Sequence, residues 1–261
     1  MELLNKNIVF MHIPKNGGTT LDSILDKNFS VNNTFNVKVI GNSELNISDL
    51  LNLNEEELNN IKLLKGHVPF GIHQKLRNQF NYITLLRNPV DRIVSYYYYV
   101  LSLPSHRLYE RVMKEKMSLY DFATKINQGD VNNAQIRVIS GIEDTPENML
   151  SKAIDNIDNN FSFVGLVEKY DESLLLLQEL YKFKIPYYRS LNKTPKRSKL
   201  DEIDKNTLVA IKDLNQGDID LYSIMEKKFN KELEEVDLLN FKLKKLRSVN
   251  KLYNFYAGFK S

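Results

Sequence analysis

A short segment near the start of the chain, residues 14–20, has the composition of a phosphate-binding loop. Its two adjacent glycines permit a tight turn and a close approach of the backbone to a ligand. The amides that follow open a predicted helix, and a helix N-terminus attracts anions. The polar and glycine residues of the loop are Lys15, Asn16, Gly17, Gly18, Thr19 and Thr20. The pattern predicts a phosphate cradle; the simpler alternative is an ordinary strand-to-helix turn.

A second candidate site is Arg87, which ends a strand predicted over residues 80–87. Because ligands of open α/β sheets bind at the carboxyl ends of strands, we expect Arg87 beside the first loop. Its guanidinium presents a fork of donors suited to phosphate. Ser95 lies two turns along the helix that begins at Pro89. The alternative for Arg87 is an ion pair with a neighbouring carboxylate, and the tyrosine run 96–99 is more simply a packed aromatic face.

His67 is the candidate general base. It follows a strand predicted over residues 61–64 and lies in the turn-rich segment GHVPFG, from which a side chain can reach a cleft. Histidine, with an ordinary pKa of about 6.5, is suited to accept a proton at neutral pH. We assign structural roles to His12, His73 and His106.

The elements that must position these residues alternate between strands and helices. Apolar runs predict strands at 7–13, 35–40, 61–64, 80–87 and 161–167. Helical spacing follows at 19–29, after Pro89 and over 171–183, and the chain is predicted to be helical from about Asp201 to its end. Asn54 and Glu57 have the spacing of a capping box. The alternation predicts an α/β fold with a mainly parallel sheet flanked by helices.

Composition excludes several classes of protein. The chain has 261 residues, 42% of them hydrophobic, so it can bury a core and is not a disordered chain. It contains no cysteine, which excludes disulfides and thiolate metal sites, and its net charge of +3 is too small to indicate nucleic acid. We expect no transmembrane segment, no signal peptide and a cytoplasmic location. We predict a single domain over 1–261, with a core at about 7–230 and a helical C-terminal extension at 231–261.

Together the motifs resemble the PAPS-dependent sulfotransferases, and more closely their heparan sulfate and uronyl 2-O-sulfotransferase branch. The resemblance covers roughly residues 8–230 and rests on five blocks: IPKNGGTT, KGHV, LLRNPVDRIVSYYYY, FVGLVEKYDESLLLLQEL and LNKTPKRSK. It implies a P-loop-like parallel sheet flanked by helices. It also implies transfer of a sulfuryl group from PAPS to a hydroxyl of a glycan or glycoconjugate, with no metal.

Residue roles carry over by position in this resemblance. Lys15 to Thr20 would bind the 5′-phosphosulfate, with Lys15 also assisting the leaving phosphate, and His67 would act as general base. The 3′-phosphate would be held by Arg87 and Ser95. A block containing Lys193 and Thr194 would close over the nucleotide, and Lys196, Arg197 and Lys199 would add positive charge to it. The alternative is that this segment is a solvated basic loop. Two uses remain open for Asn133, Gln135 and Arg137: contact with the acceptor, or bracing of the sheet.

The sequence departs from the animal 2-O enzymes in that we expect no membrane anchor. It also has no cysteines, Asn88 where Asp is common, and glycines where their loop has small hydroxyl residues. These differences leave the acceptor open. One alternative is a P-loop kinase-like phosphotransferase, which is weakened because Lys15 precedes the glycines, unlike the Walker A lysine. The other is a catalytically silent nucleotide- or glycan-binding module. The basic C-terminal helix is either solvated or in contact with an anionic membrane or polyanionic acceptor.

Overall fold

A five-stranded, wholly parallel sheet forms the centre of the molecule. The computed structural model describes residues 7–40, 44–76, 78–126, 129–184, 187–188 and 200–258. The strand order is β2-β5-β1-β6-β7, and a two-stranded antiparallel pair, β3-β4, lies apart from it. The strands are β1 (Asn7–Met11), β2 (Thr34–Val37), β3 (Val39–Ile40), β4 (Glu44–Leu45), β5 (Leu63–Gly66), β6 (Phe80–Leu86) and β7 (Phe161–Leu166).

Helices cover the sheet on both sides. They are α1 (Gly18–Leu25), α2 (Ile47–Leu51), α3 (Glu55–Asn60), α4 (Pro89–Ser102), α5 (Tyr109–Lys114), α6 (Leu119–Lys125), α7 (Ala134–Ser140), α8 (Pro146–Asn160), α9 (Tyr170–Tyr181), α10 (Lys205–Asp213), α11 (Gln216–Glu234) and α12 (Leu239–Gly258). The predicted α/β fold, with a parallel sheet flanked by helices and helices at the C-terminal end, is confirmed. The α5–α8 segment was not assigned by sequence patterns.

The central strands are buried on both faces, which explains their continuous apolar runs. All five residues of β1 are buried, and so are the last five of β6. This is the pattern of parallel strands covered by helices on each side. Met11 pairs with Gly66 of β5 and with Thr84 of β6, so these three strands end at nearly the same level. The loops that leave them therefore start at one edge of the sheet.

Local sequence signals set the helix ends near this edge. Asn88 caps α4 by accepting hydrogen bonds from the amides of Val90 and Asp91 at 3.1 and 3.3 Å, and Pro89 occupies the first turn. The capping box predicted at Asn54 and Glu57 is present at the start of α3. Both contacts are short-range in sequence, and the sequence alone predicted the capping box and the position of Pro89, whereas the Asn88 cap is seen only in the structure.

The last helix, α12, packs against α9. Leu243 and Leu246 bury their side chains beside Leu175, and Arg247 bonds Asp171 at 2.9 Å. The division into one domain with a C-terminal extension stays a prediction. In the described part of the chain, no helix is long and apolar enough to cross a membrane.

Candidate active site

Three loops at the carboxyl edge of the sheet bring the predicted residues together. The loop of residues 14–20 follows β1, His67 follows β5, and Arg87 follows β6. Because β1 lies between β5 and β6, the other two loops flank the first. Ligands of parallel sheets bind at this edge. The expected proximity of Arg87 to the first loop is thus observed.

The Lys15 loop is anchored to the sheet through Asn16. Lys15 and Gly17 are both left-handed, with φ of 70° and 69°, and they turn the intervening residue inward. Asn16 is completely buried, and its side-chain amide donates to the Leu85 carbonyl at 2.7 Å and to Gln135 Oε1 at 2.8 Å. Asn16 therefore holds the loop in place from below.

The first turn of α1 has no side-chain cap. Its N-cap residue is Gly17, and no acidic residue lies in the turn. Gly17 and Thr19 are exposed, whereas Gly18 and Thr20 are buried. The leading amides of a helix carry partial positive charge and stabilise an anion placed before them. The loop and this helix end together have the chemistry of an anion site.

Gln135 joins the Lys15 loop to the Arg87 loop. Its Oε1 also accepts from the Arg87 amide at 3.0 Å, and its Nε2 donates to the Arg87 carbonyl at 2.9 Å. The Arg87 guanidinium donates to the Lys15 carbonyl at 3.0 Å. Gln135 is completely buried. These bonds fix the backbones of the two loops relative to each other.

His67 is held in one tautomer by a backbone carbonyl. Its Nδ1 lies 2.6 Å from the carbonyl oxygen of His12. Since a carbonyl oxygen only accepts, Nδ1 carries the proton, and Nε2 of the neutral ring is an acceptor. The side chain is exposed, and its ring centroid lies 4.6 Å from that of His12. A general base acting through Nε2 requires this tautomer.

His12 fills the space beneath the Lys15 loop. Its ring stacks on Phe10 at 5.5 Å and lies so close to Gly18 that a Cβ there would be 2.1 Å from it. Burial, followed by the nearby positive charges of His67 and Lys15, lowers the pKa of His12 to about 3. His12 is therefore neutral at physiological pH, and its packing fits the structural role predicted for it.

The tyrosine run of α4 is a packed face, as predicted. Tyr96 is buried, and its three successors pack against the same cluster. Tyr99 has a further contact: the Lys15 Nζ lies 3.9 Å from its ring centroid. A cation over an aromatic face is an attractive contact. The Lys15 side chain thus extends toward α4, the helix that follows Arg87.

The family model described as Sulfotransferase family matches residues 4–223 of the chain. The chain belongs to the sulfotransferase family. A solved structure of the mouse sulfotransferase SULT7A1 complexed with PAP is similar at 16% identity and a TM-score of 0.43, over 95% of this chain and 94% of that one. Because both values are low, that likeness carries no argument about the site. None of the curated proteins matches the chain.

In this sulfotransferase, the three residues with an open role lie on or just before α7. The Asn133 side-chain oxygen accepts from the Asp218 backbone amide at 3.1 Å, and the Asn133 backbone amide donates to the Asn215 side-chain oxygen at 3.0 Å. Arg137 forms an ion pair with Glu143. The polar atoms of Asn133, like those of Gln135, therefore bond the surrounding framework.

Sequence reasoning missed three charged residues around the site: Asp218 and Arg92, which are completely buried, and Glu168, which is exposed. The Asp218 carboxylate accepts from the Gln135 amide at 3.1 Å, and the fully buried Arg92 donates to the Asp130 carbonyl at 2.6 Å. Glu168, after β7, accepts from the Asn88 amide at 2.9 Å. Arg92 stands in the same sequence motif as Arg87, and this motif could have drawn attention to it. No local pattern distinguishes the buried Asp218 from a surface carboxylate.

Not all predicted site residues have a described position. Ser95 is on α4 and is 5% exposed. Lys193 and Thr194 lie outside the described residues, as do Lys196, Arg197 and Lys199. Among the residues that are described, no group of three or more His, Asp or Glu could hold a metal ion.

Proposed function

We propose that this sulfotransferase moves a sulfuryl group from PAPS to a hydroxyl of a glycan or glycoconjugate. The observation that carries the proposal is the convergence of the Lys15 loop, His67 and Arg87 at one sheet edge. Sulfuryl transfer requires an anion site, a positive charge near the leaving oxygen and a base at the acceptor. Each of the three loops supplies one kind of group that these tasks require.

In this proposal the Lys15 loop and the first turn of α1 bind the 5′-phosphosulfate. The uncapped amides and the exposed Gly17 and Thr19 fit such an anion. Arg87 and Ser95 would hold the 3′-phosphate, and the block with Lys193 and Thr194 would close over the nucleotide. The bonds from Asn16 and Gln135 would keep the two anion-binding loops at a fixed separation.

His67 would accept the acceptor proton at Nε2. As the acceptor oxygen bonds to sulfur, the bond between sulfur and the bridging oxygen of the donor breaks, and the proton passes to the imidazole. The hydrogen bond from Nδ1 to the His12 carbonyl stabilises the imidazolium that results, because Nδ1–H is already paired.

Lys15 would neutralise the charge that develops on the departing bisphosphate. Lys15 belongs to the loop proposed to bind the 5′-phosphosulfate, and a positive charge placed there offsets the negative charge that develops on the leaving oxygen. The Lys15 Nζ lies over the Tyr99 ring of α4, so the ammonium would turn from that ring toward the donor. The proposal assigns no role to a metal.

The acceptor is the least constrained part of the proposal. We assign Asn133 and Gln135 to bracing, because their polar atoms bond Asp218, Arg87 and Asn16. Arg137 remains a candidate acceptor contact. A glycan hydroxyl is supported by the resemblance to the 2-O branch, and a cytoplasmic location stays a prediction.

Thermal unfolding tests the donor site. The purified protein is heated with 3′,5′-adenosine bisphosphate, with 5′-AMP, or with ATP and Mg²⁺. At a hundredfold excess over Kd, linkage predicts about 2.7 kcal/mol of stabilisation, or about 5–10 °C for a chain of this size. A shift with the bisphosphate alone supports the proposal. A shift with ATP and Mg²⁺ alone would favour the phosphotransferase, and no shift at all would favour a silent module.

Substitution of His67 tests the base. His67→Ala should lower turnover by about 10²–10⁴-fold while the bisphosphate still raises the melting temperature. The matched control is His73→Gln, because His73 bonds the Tyr82 hydroxyl rather than the Lys15 loop. An unchanged rate in His67→Ala would eliminate the base role without affecting the donor site.

A further inference from the structure

The last helix has an unusual charge content. Along its 20 residues, α12 carries five basic side chains and no acidic one. Its inner side packs on α9 through Leu243 and Leu246, and Asn250 is buried on the same side, where it accepts from the Tyr188 amide. Toward the end of the helix, Tyr253 contacts Tyr187 and Asn254 donates to the Tyr188 carbonyl, and several other side chains are exposed.

The outer face of α12 combines apolar and basic side chains. We define it as Phe241, Lys244, Lys245, Ser248, Lys251 and Leu252, all of which are exposed. Phe241 is 65% exposed and Leu252 is 58% exposed. Their separation of three helical turns places them in one row, and the lysines lie on both sides of that row. The outer face of α12 therefore exposes two large apolar side chains beside basic ones.

The acidic residues of α9 form ion pairs with Lys242 and Arg247 of α12. Lys242 bonds Glu179 at 2.7 Å, and Arg247 bonds Asp171 and Glu172 at 2.9 and 3.1 Å. Among the described residues, the ion pairs around this helix are made by Lys182, Lys242 and Arg247 and not by Lys244, Lys245 or Lys251. The outer face therefore presents net positive charge to solvent.

We propose that the outer face of α12 binds the surface of an anionic lipid bilayer. The lysines would contact headgroup phosphates and carboxylates, and Phe241 and Leu252 would enter the boundary between headgroups and acyl chains. The two apolar side chains favour lipid over a soluble polyanion. A sulfated polysaccharide would attract the lysines equally well, but it offers no apolar phase for an exposed phenylalanine and leucine.

Vesicle sedimentation tests the proposal with the full chain. The protein should pellet with vesicles that contain phosphatidylserine and remain in solution with phosphatidylcholine alone. Each lysine near an anionic surface contributes about fivefold to binding, the equivalent of about 1 kcal/mol. The triple variant Lys244→Gln, Lys245→Gln, Lys251→Gln should therefore bind about 100-fold more weakly.

A charge-matched control separates the outer face from net charge. Lys212, Lys227 and Lys231 are exposed on α10 and α11, and their combined substitution by Gln changes net charge equally. Vesicle binding should be nearly unchanged in this control. Equal loss in both triple variants would overturn the proposal, because binding would then depend only on overall charge.

The apolar pair gives the second criterion. Phe241→Ser with Leu252→Ser should weaken vesicle binding by about tenfold or more, because two large apolar side chains no longer enter the interface. Binding to heparin should be unaffected by this pair. No sedimentation with anionic vesicles, or vesicle binding that the pair leaves unchanged, would overturn the proposal and favour a soluble polyanion. Thermal unfolding of each variant confirms that the fold is retained.

Discussion

Gln135→Leu is the most informative substitution, because it separates the two uses that the sequence left open for this residue. Leucine fills a similar volume but removes the hydrogen bonds to Asn16 and to the amide and carbonyl of Arg87. Asn16 keeps its bond to the Leu85 carbonyl. The substitution therefore removes the Gln135 partner from two backbone groups of Arg87.

The expected loss of stability follows from those two backbone groups. A buried polar group without a partner costs about 1–3 kcal/mol, so the free energy of unfolding should fall by about 2–5 kcal/mol. The Lys15 and Arg87 loops would also lose their common support. If the loss of this support costs about 1–2 kcal/mol of bisphosphate binding energy, the bisphosphate Kd rises by about 5–30-fold.

The assay compares the bisphosphate Kd, the acceptor KM and the stability of each variant. Urea denaturation gives stability, titration calorimetry gives the bisphosphate Kd, and steady-state rates give the acceptor KM once an acceptor is in hand. Bracing predicts a weaker Kd with an acceptor KM within about twofold of the parent value. Gln135→Glu keeps both acceptor contacts but places a buried carboxylate against the Arg87 carbonyl, so we expect it to lower stability further than the leucine variant does.

The refuting result is specific. If the acceptor KM rises while the bisphosphate Kd and the stability stay unchanged, Gln135 contacts the acceptor and the bracing interpretation is wrong. Arg137→Gln is the matched control on the same helix, since its guanidinium pairs with Glu143 and bonds neither loop. We expect this control to leave the bisphosphate Kd unchanged.

Three further predictions concern the loop and its supports. His12 binds a proton near pH 6.5 when unfolded but only near pH 3 when folded, so stability should fall as pH drops through that window, by up to about 5 kcal/mol. His12→Phe should flatten urea-derived stability between those pH values, and an unchanged slope would contradict this. Gly18→Ala places a Cβ 2.1 Å from the His12 ring; we expect a loss of about 1–3 kcal/mol in urea denaturation, partly recovered on adding His12→Ala. Asn88→Ala removes the cap of α4 and should cost about 1 kcal/mol, or about 2–4 °C in Tm by calorimetry; Asn88→Ser should restore most of it.

The sequence alone determined where the site must lie. Five strand patterns, each followed by a loop or helix, implied a parallel sheet, and the carboxyl ends of parallel strands share one edge. Lys15, His67 and Arg87 each follow one of those strands, so their proximity could be predicted without knowing any contact. The capping box of Asn54 and Glu57 was also predictable, because the capping oxygen and its amide are three residues apart.

Only the tertiary structure decided which of these residues face a ligand and which support the others. Asn16 looks like a loop ligand in the sequence, yet it is buried against Gln135, which lies 119 residues further along the chain. The tautomer of His67 depends on a carbonyl 55 residues away, and Asp218 supports α7 from α11. Such pairings depend on how helices pack on the sheet, and the periodicities of a sequence report only neighbours within a few residues.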